Sequence, residues 1–403
     1  KYYKEALKCY NKVLDMDSGR DTAWVRKGNI LFLHKKYNDS FRSYNIALEL
    51  NPRNNEAWLG KGILLYNQKK YDDAFTCFDR AVECNGKDGA AWMNRGRILY
   101  DRKKYKEALS SYSKAVACDP NSTDALTGQG NVFSAMKKYD DALFCYGKAV
   151  DMDPLCREGW RGRGDVYFIE KKYDEAISCY DKVIQLEPSD SSAWLGRGNI
   201  LCDRKKYDDA LKSYNKALEG NPLSKEAASA KASLLKQLGR YEEALKAYDK
   251  AIELDRNNPY LWFERALILG LQEKYKEALR SYDRFLELKP LSKVGWTKKA
   301  GVLRDLGRND EALYCYNKAI GLDRNNPDLW NSKGLVLIKA GKYADAVSAY
   351  DRVLELRSDD LSACYYRGLA LLKTGKYADA ISDFDRVLKA EPENKDALAN
   401  KET

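Results

Sequence analysis

The chain has 403 residues and carries 70 Lys and Arg against 60 Asp and Glu, a net charge of +10. With 44% hydrophobic residues it can build a sizeable core, which excludes wholesale disorder, and only 9 Pro and 26 Gly argue against a loop-rich or all-β chain. A single histidine, His34, excludes poly-His metal sites and any His-based triad beyond one base. No run of 18 apolar residues is present to span a membrane, and no basic n-region with an apolar h-region opens the chain. The chain does not begin with Met and reads as a soluble piece of a longer protein.

In chain order, the elements fall on one 34-residue period. All eight tryptophans lie on it: Trp24, Trp58, Trp92, Trp160, Trp194, Trp262, Trp296 and Trp330, with Leu126, Ala228 and Cys364 at the grid points that lack Trp. Counting Asp21 as position 1 puts Trp at position 4. Residues 1–20 are then a partial repeat, a second helix with Tyr3, Ala6, Tyr10 and Val13 on one face. Six full repeats follow over 21–224, turning on Lys-Lys pairs from Lys35-Lys36 to Lys205-Lys206. Five more fill 225–394 and turn mostly on Gly-Arg or Gly-Lys, as at Gly239-Arg240 and Gly341-Lys342. Residues 395–403 form a last partial repeat or cap.

Within each repeat the apolar spacing is helical, such as Trp58, Leu59, Ile63, Leu64 and then Tyr71, Ala74, Phe78, Ala81. Breakers such as Asn51-Pro52 and Asp119-Pro120 separate repeats, so each period holds two antiparallel helices. Position 8 is Gly or Ala, position 17 is Tyr except at Asn309, position 20 is Ala except at Ser40, and position 24 is Tyr or Phe throughout. Small residues let the helices approach and the large rings fill the space beside them. One helix pair cannot bury both faces, so each repeat must stack on its neighbours.

These columns resemble the tetratricopeptide repeat, whose period is 34 residues and whose signature begins W-x2-L-G-x2-Y. The likeness covers the whole chain without an insertion or deletion. It implies an all-α fold, a right-handed superhelical solenoid of antiparallel helix pairs, with a concave face built from first helices at positions 2, 5, 9 and 12. It also implies a non-catalytic scaffold that binds a protein or peptide.

One column departs from the family. Position 7, usually Leu, is basic in ten of eleven repeats, as in Lys61, Arg95, Arg163, Arg197 and Arg367, with Gln129 the exception. We expect the aliphatic stems to cover the repeat seam while the charges reach water. The Lys-Lys turns are usually followed by acids, as in Lys69-Lys70-Tyr71-Asp72-Asp73, and read as a solvated rim that makes nucleic acid an unlikely partner. Cys9, Cys77, Cys145, Cys179 and Cys315 share position 23, where neighbouring repeats stand roughly 8–10 Å apart, too far for a disulfide. Free, half-buried thiols suit a reducing cytoplasm, our expected localisation. The sequons at Asn38 and Asn121 point weakly the other way.

The chemical motifs fail on context. Gly162-Arg163-Gly164 and its relatives lack a strand and a third glycine, and read as packing glycines inside helices. Arg163-Gly164-Asp165 spells an adhesion tripeptide in mid-helix, and His34 lies at a turn. No catalytic residue, metal or cofactor is called for.

On the face that the resemblance makes concave, position 12 carries Phe32, Tyr66, Tyr100 and Phe168, an aromatic stripe interrupted by Ser134. Position 9 supplies Asn29, Asn131 and Asn199, with Arg97 and Asp165 between, and position 5 adds Arg161. An Asn amide both donates and accepts, so it can hold an extended peptide backbone. By resemblance a carboxylate clamp would need Lys at position 5 with Asn at 9, and this chain has Arg161 followed by Asp165 instead. Six acids and four bases across positions 2, 5, 9 and 12 favour a mixed or partly apolar peptide over a strongly charged one. Truncating Tyr66 and Tyr100 to Ala is expected to weaken binding with little loss of stability. Two alternatives are a recruiting arm of a glycosyltransferase-like enzyme encoded outside this chain, and a head-to-tail fibre formed by end-to-end self-association of the half-repeats.

Overall fold

The computed structural model describes residues 2–402, the side chain of Tyr2 excepted. Lys1 and Thr403, the outer limits expected for the two partial repeats, lie outside the described residues. Twenty-four helices, α1 to α24, make up the described chain, and no strand occurs among these residues. Between the first and the last, they alternate between 13-residue first helices such as α4 (Asn55–Asn67) and 14-residue second helices such as α5 (Tyr71–Cys84). The chain divides into two compact units, Lys1–Asn221 and Pro222–Thr403. Each unit is a stack of antiparallel helix pairs.

Most first helices start on side-chain caps, α2 and α10 excepted. Asn54, Asp88, Ser122, Asp190 and Ser224 each accept the backbone N–H three residues on, filling an otherwise orphaned donor. The indole column has a related cause. Every tryptophan donates its Nε1–H to the carbonyl six residues earlier, in the loop before its helix, at 2.8–3.0 Å, as Trp58 does to Pro52 and Trp330 to Arg324. The ring packs while its polar edge clamps the repeat junction.

First helices stop at a left-handed residue. After α4, Lys69 has φ of 63°, its N–H bonds Tyr66 O at 2.9 Å, and Lys70 N–H bonds Leu65 O at 2.9 Å. That is the paired hydrogen-bond pattern of a Schellman stop. Lys35, Lys103, Lys137, Lys171 and Lys205 repeat it in the first unit, and Gly239, Gly307, Gly341 and Gly375 in the second, where Glu273 is the exception. The Lys-Lys doublets, read above as a charged rim, therefore have a backbone role as well: the first lysine carries the positive φ, and the second precedes the next helix.

The glycines at position 8 and their relatives at position 6 are packing glycines. Gly162 and Gly164 lie on α10 (Arg157–Ile169). A methyl group at Gly162 would overlap the ring of Tyr146 from the preceding repeat, and one at Gly164 would stand 2.9 Å from Tyr180 of its own. Gly130 closes the other side of the Tyr146 ring, 2.6 Å from where its own methyl would be. Tyr44, Tyr112, Tyr146 and Tyr180 are thus inserted between two glycine-faced helices, and Phe78 meets one at Gly62; Tyr44, Phe78, Tyr146 and Tyr180 are almost fully buried.

Two expectations are corrected. The basic residues of position 7 do not simply reach for water. Arg95 bonds Asp79 of the preceding repeat at 2.5 Å and Ser111 of its own at 2.7 Å, and Arg197 bonds Asp181 and Ser213 at 3.0 and 3.1 Å. In the second unit Arg265, Lys299 and Arg367 pair likewise with Asp249, Asp283 and Asp351. At these five positions the column is an ion-pair seam between repeats, because position 25 of one repeat faces position 7 of the next, whereas Lys27, Lys61 and Lys333 lie over their own tryptophans. Of the position-23 thiols, Cys77, Cys145, Cys179 and Cys315 are buried outright and only Cys9 is exposed. Burial pushes the Cys77, Cys145, Cys179 and Cys315 thiols up to about 11, so they behave as small apolar residues. On α1 (Tyr2–Met16), Tyr3, Ala6, Tyr10 and Val13 are half-buried, and Tyr3 lies against His34 with ring centroids 3.3 Å apart.

Candidate functional site

The sequence placed its candidate residues in three columns of the first unit, and the helical repeat brings several of them together. Arg97 and Tyr100 stand on α6 (Gly89–Asp101), Asn131 on α8 (Thr123–Ala135), and Arg161 and Asp165 on α10. These five line one cavity of about 210 Å³, together with Asp124 and Glu158 at position 2 of the next two repeats. Its floor is Gly128 and Gly162, the position-6 glycines, over the rings of Tyr112 and Tyr146. Asn29 and Phe32 of α2 (Asp21–Leu33) line a separate cavity of about 540 Å³ with Leu59, Ile63 and Glu56. Tyr66, Phe168 and Asn199 line neither cavity and lie half-buried along their own helices.

The asparagines are half committed. The Tyr44, Tyr146 and Tyr214 hydroxyls donate to Oδ1 of Asn29, Asn131 and Asn199 at 2.7, 2.6 and 3.0 Å. Asp165 fixes the direction of this bond, because a carboxylate at the same position can only accept, and it does so from Tyr180 at 2.8 Å. Each of these position-24 tyrosines therefore holds a position-9 oxygen, and in the Asn repeats it aims the NH2 away from itself. Where position 9 is Ile63 or Leu369, position 24 is Phe78 or Phe384 and no hydroxyl needs a home.

The aromatic stripe is less free than its sequence suggests. Phe32, Tyr66, Tyr100 and Phe168 each lean on the position-17 tyrosine of the same repeat, Tyr37, Tyr71, Tyr105 and Tyr173, with ring centroids 5.3–6.1 Å apart. All four also pack on buried core residues. Truncating Tyr66 or Tyr100 to Ala will therefore cost stability, contrary to the expectation above, and cannot serve as a clean probe of binding.

The charges of the smaller cavity are arranged by repeat. Arg97 has no ion pair among the described residues, while Arg161 reaches Asp190 at 3.7 Å. Asp124 and Glu158 carry no ion pair there, and Asp165 accepts only its tyrosine. Although Asp165 opens to solvent, protein atoms crowd its carboxyl, and this desolvation raises its pKa above the usual aspartate value against the pull of Tyr180 and Arg161. Burial likewise raises the Tyr66 and Tyr100 phenols. Such a site offers hydrogen bonds and charges of both signs. Among the described residues no group of three His, Cys, Asp or Glu side chains could hold a metal ion, and no helix is long and apolar enough to cross a membrane.

The stacked helix pairs, their ring-into-glycine packing and their left-handed stops define a helical-repeat protein. Models of the tetratricopeptide repeat match residues 36–88, 89–122, 123–154, 158–190, 191–222 and 331–395, and a further TPR repeat model matches 232–273 and 301–340. The chain belongs to the tetratricopeptide repeat family, and at the level of that family it is a protein-interaction scaffold. No curated protein matches it significantly. Solved structures with similar folds include YrrB, described as a TPR protein with an unusual peptide-binding site (22% identical over 46% of this chain and 95% of that one, TM-score 0.40). PilF of Pseudomonas aeruginosa is 22% identical over 55% of this chain and all of its own, with a TM-score of 0.48. A chain of the Cut9–Hcn1 hetero-tetramer of the APC/C is 13% identical over all of this chain and 93% of that one, with a TM-score of 0.37.

Proposed function

We propose that the first unit binds an extended peptide of mixed charge across its first helices, with an acidic group of the ligand at Arg97 and a basic group at Asp124, Glu158 and Asp165. The carrying observation is the cavity that gathers Arg97, Tyr100, Asn131, Arg161 and Asp165. Asn131 supports the reading: its carbonyl is held by Tyr146, which leaves its NH2 to donate to a peptide carbonyl. Asn29 and Phe32, in the next cavity towards the N-terminus, extend the same track, and Asn199 and Phe168 extend it the other way. The reading is one of binding, with the titratable groups holding a ligand instead of transforming it. The change of turn residue near 224 marks, in this reading, the limit between a binding array of six repeats and a supporting array of five. The buried thiols fit a reducing, cytoplasmic setting.

The test is selection of peptides from a random library on the whole chain. Selected sequences should carry one acidic and one basic residue a few positions apart. Arg97→Ala should weaken them about tenfold or more, as loss of a charge-assisted contact does. Selected peptides that bind equally to Arg97→Ala and to Asp124→Asn with Glu158→Gln would reject the reading.

A further inference from the structure

Among the five arginines of position 7, Arg163 lacks the pairing that the other four make, on the opposite side of α10 from the candidate groove. Arg163 and Asp165 are two residues apart, about 200° around the helix. At the other position-7 arginines the guanidinium has two partners: the position-25 Asp of the preceding repeat on one side, and a position-23 Ser or Asp on the other. The first contact is 2.5 Å for Arg95 with Asp79, 3.0 Å for Arg197 with Asp181, 2.7 Å for Arg265 with Asp249 and 2.6 Å for Arg367 with Asp351. Arg163 keeps the posture and lacks both partners. It stacks on Trp160 at 5.2 Å, much as Arg95 stacks on Trp92 at 5.6 Å and Arg197 on Trp194 at 5.8 Å. Yet position 25 before it is Gly147, position 23 beside it is Cys179, and its one hydrogen bond, to the Tyr167 hydroxyl, is 3.4 Å long.

Gly147 lies on α9 (Tyr139–Met152), and a Cβ built there would meet nothing within 4 Å. The place that a carboxylate fills beside each of the other four arginines is therefore open. One helical turn earlier on α9, Phe144 is 72% exposed and offers an apolar contact beside the opening. Lys148 and Asp151 follow on the same helix with opposite charges, and Arg163 makes no ion pair among the described residues.

We propose that this gap is a docking site for a partner protein, which inserts an Asp or Glu side chain against Arg163 and lays a neighbouring apolar residue on Phe144. The chain itself shows the recognition chemistry, since an acid supplied from outside would complete the pairing made within the chain at Arg95, Arg197, Arg265 and Arg367. The guanidinium is already held by Trp160, so little side-chain freedom is lost when the acid arrives. This site is independent of the groove and needs no ligand there.

The experiment uses the whole chain labelled with 15N-arginine, following the Nε–H signals while acetyl-Leu-Asp-Leu-amide, acetyl-Leu-Asn-Leu-amide or sodium acetate is added at constant ionic strength. The Asp peptide should shift Arg163 saturably, and the Asn peptide should bind at least tenfold more weakly. Arg197, whose place Asp181 occupies, should not move. Gly147→Asp should abolish the shift by filling the gap, and Gly147→Ala should preserve it. Arg163→Gln should remove the quenching of tryptophan emission that the Asp peptide causes in the unmodified chain. Equal responses of Arg163 and Arg197, or a shift that survives Gly147→Asp, would overturn the proposal. Acetate moving Arg163 where the Asp peptide does not would overturn the docking reading in favour of a free small carboxylate.

Discussion

In the first unit, lysine occupies the left-handed turn position six times, from Lys35 to Lys205, and glycine sits inside the first helices at position 8 in all six repeats and at position 6 in four. The second unit reverses this. Glycine takes the turn four times, while position 8 becomes Ala232, Ala266 and Ala300 before reverting to Gly334 and Gly368, and position 6 carries Ala230, Glu264, Lys298, Ser332 and Tyr366. By local backbone preference the first unit has both choices the wrong way round. A non-glycine residue in the left-handed region costs about 1–2 kcal/mol, and glycine inside a helix about 1 kcal/mol relative to Ala. The compensation is steric: position-6 glycine lets the helix of the next repeat close over the flat side of a tyrosine ring and leaves a floor beneath the cavity of Arg97, Asn131 and Asp165. Local rules broken consistently in the first unit thus leave room on the face where the peptide site is proposed.

The largest expected effect comes from closing the glycine floor. Gly162→Val should cost about 2–3 kcal/mol by driving a side chain into the Tyr146 ring, whereas Ser332→Val at the same position of the second unit should cost less than about 1 kcal/mol. Hydrogen exchange local to each helix pair reads the difference, and equal costs would remove the steric distinction between the units.

The tyrosine hydroxyls give a middle-sized effect of opposite sign. Tyr146 has Asn131 to receive its proton, but the buried Tyr350 hydroxyl has no partner, because position 9 there is Leu335. Tyr146→Phe should lose about 1 kcal/mol, and Tyr350→Phe should lose nothing or gain up to about 1 kcal/mol, since an orphaned buried hydroxyl is itself unfavourable. Exchange protection of the α9–α10 pair and of α21 (Tyr343–Leu356) decides it.

The smallest effect is in the turns. Lys137→Gly should stabilise its repeat by about 0.5–1 kcal/mol and Gly341→Lys should destabilise its own by a similar amount, each diminished by glycine's greater freedom when unfolded. A denaturant midpoint unchanged in both would mean that the turn residue is chosen for its charge after all.

Much of the repeat was legible because its columns are periodic. Trp58, Gly62, Tyr71, Ala74 and Phe78 stand at helical intervals, and eleven copies of that pattern admit one packing solution, a stacked helix pair. The candidate cavity was half legible: Arg97, Tyr100, Asn131, Arg161 and Asp165 were singled out by column and Asp124 and Glu158 counted among the acids of position 2, whereas their meeting over the glycine floor entered only with their neighbours in space. Signals for the missed features were present. The Asn–Tyr pairs recur 15 residues apart, the Arg–Asp pairs 16 apart, and the Trp-to-carbonyl bonds 6 apart, but a single-column reading treats each residue alone.

From the amino-acid sequence alone followed the period, the two helices per repeat, their breakers and the burial of the aromatic columns, because these depend on hydrophobic spacing and backbone preference within one repeat. Tertiary structure decided where the charges went. Whether Arg95 reaches water or Asp79, whether Asn131 is free or held by Tyr146, and whether Lys69 serves as a charge or as a left-handed turn depends on which side chains stacking brings within 3 Å and which φ the chain reversal imposes. Hydrogen bonds and ion pairs fall off over ångströms, and ångströms are set between repeats.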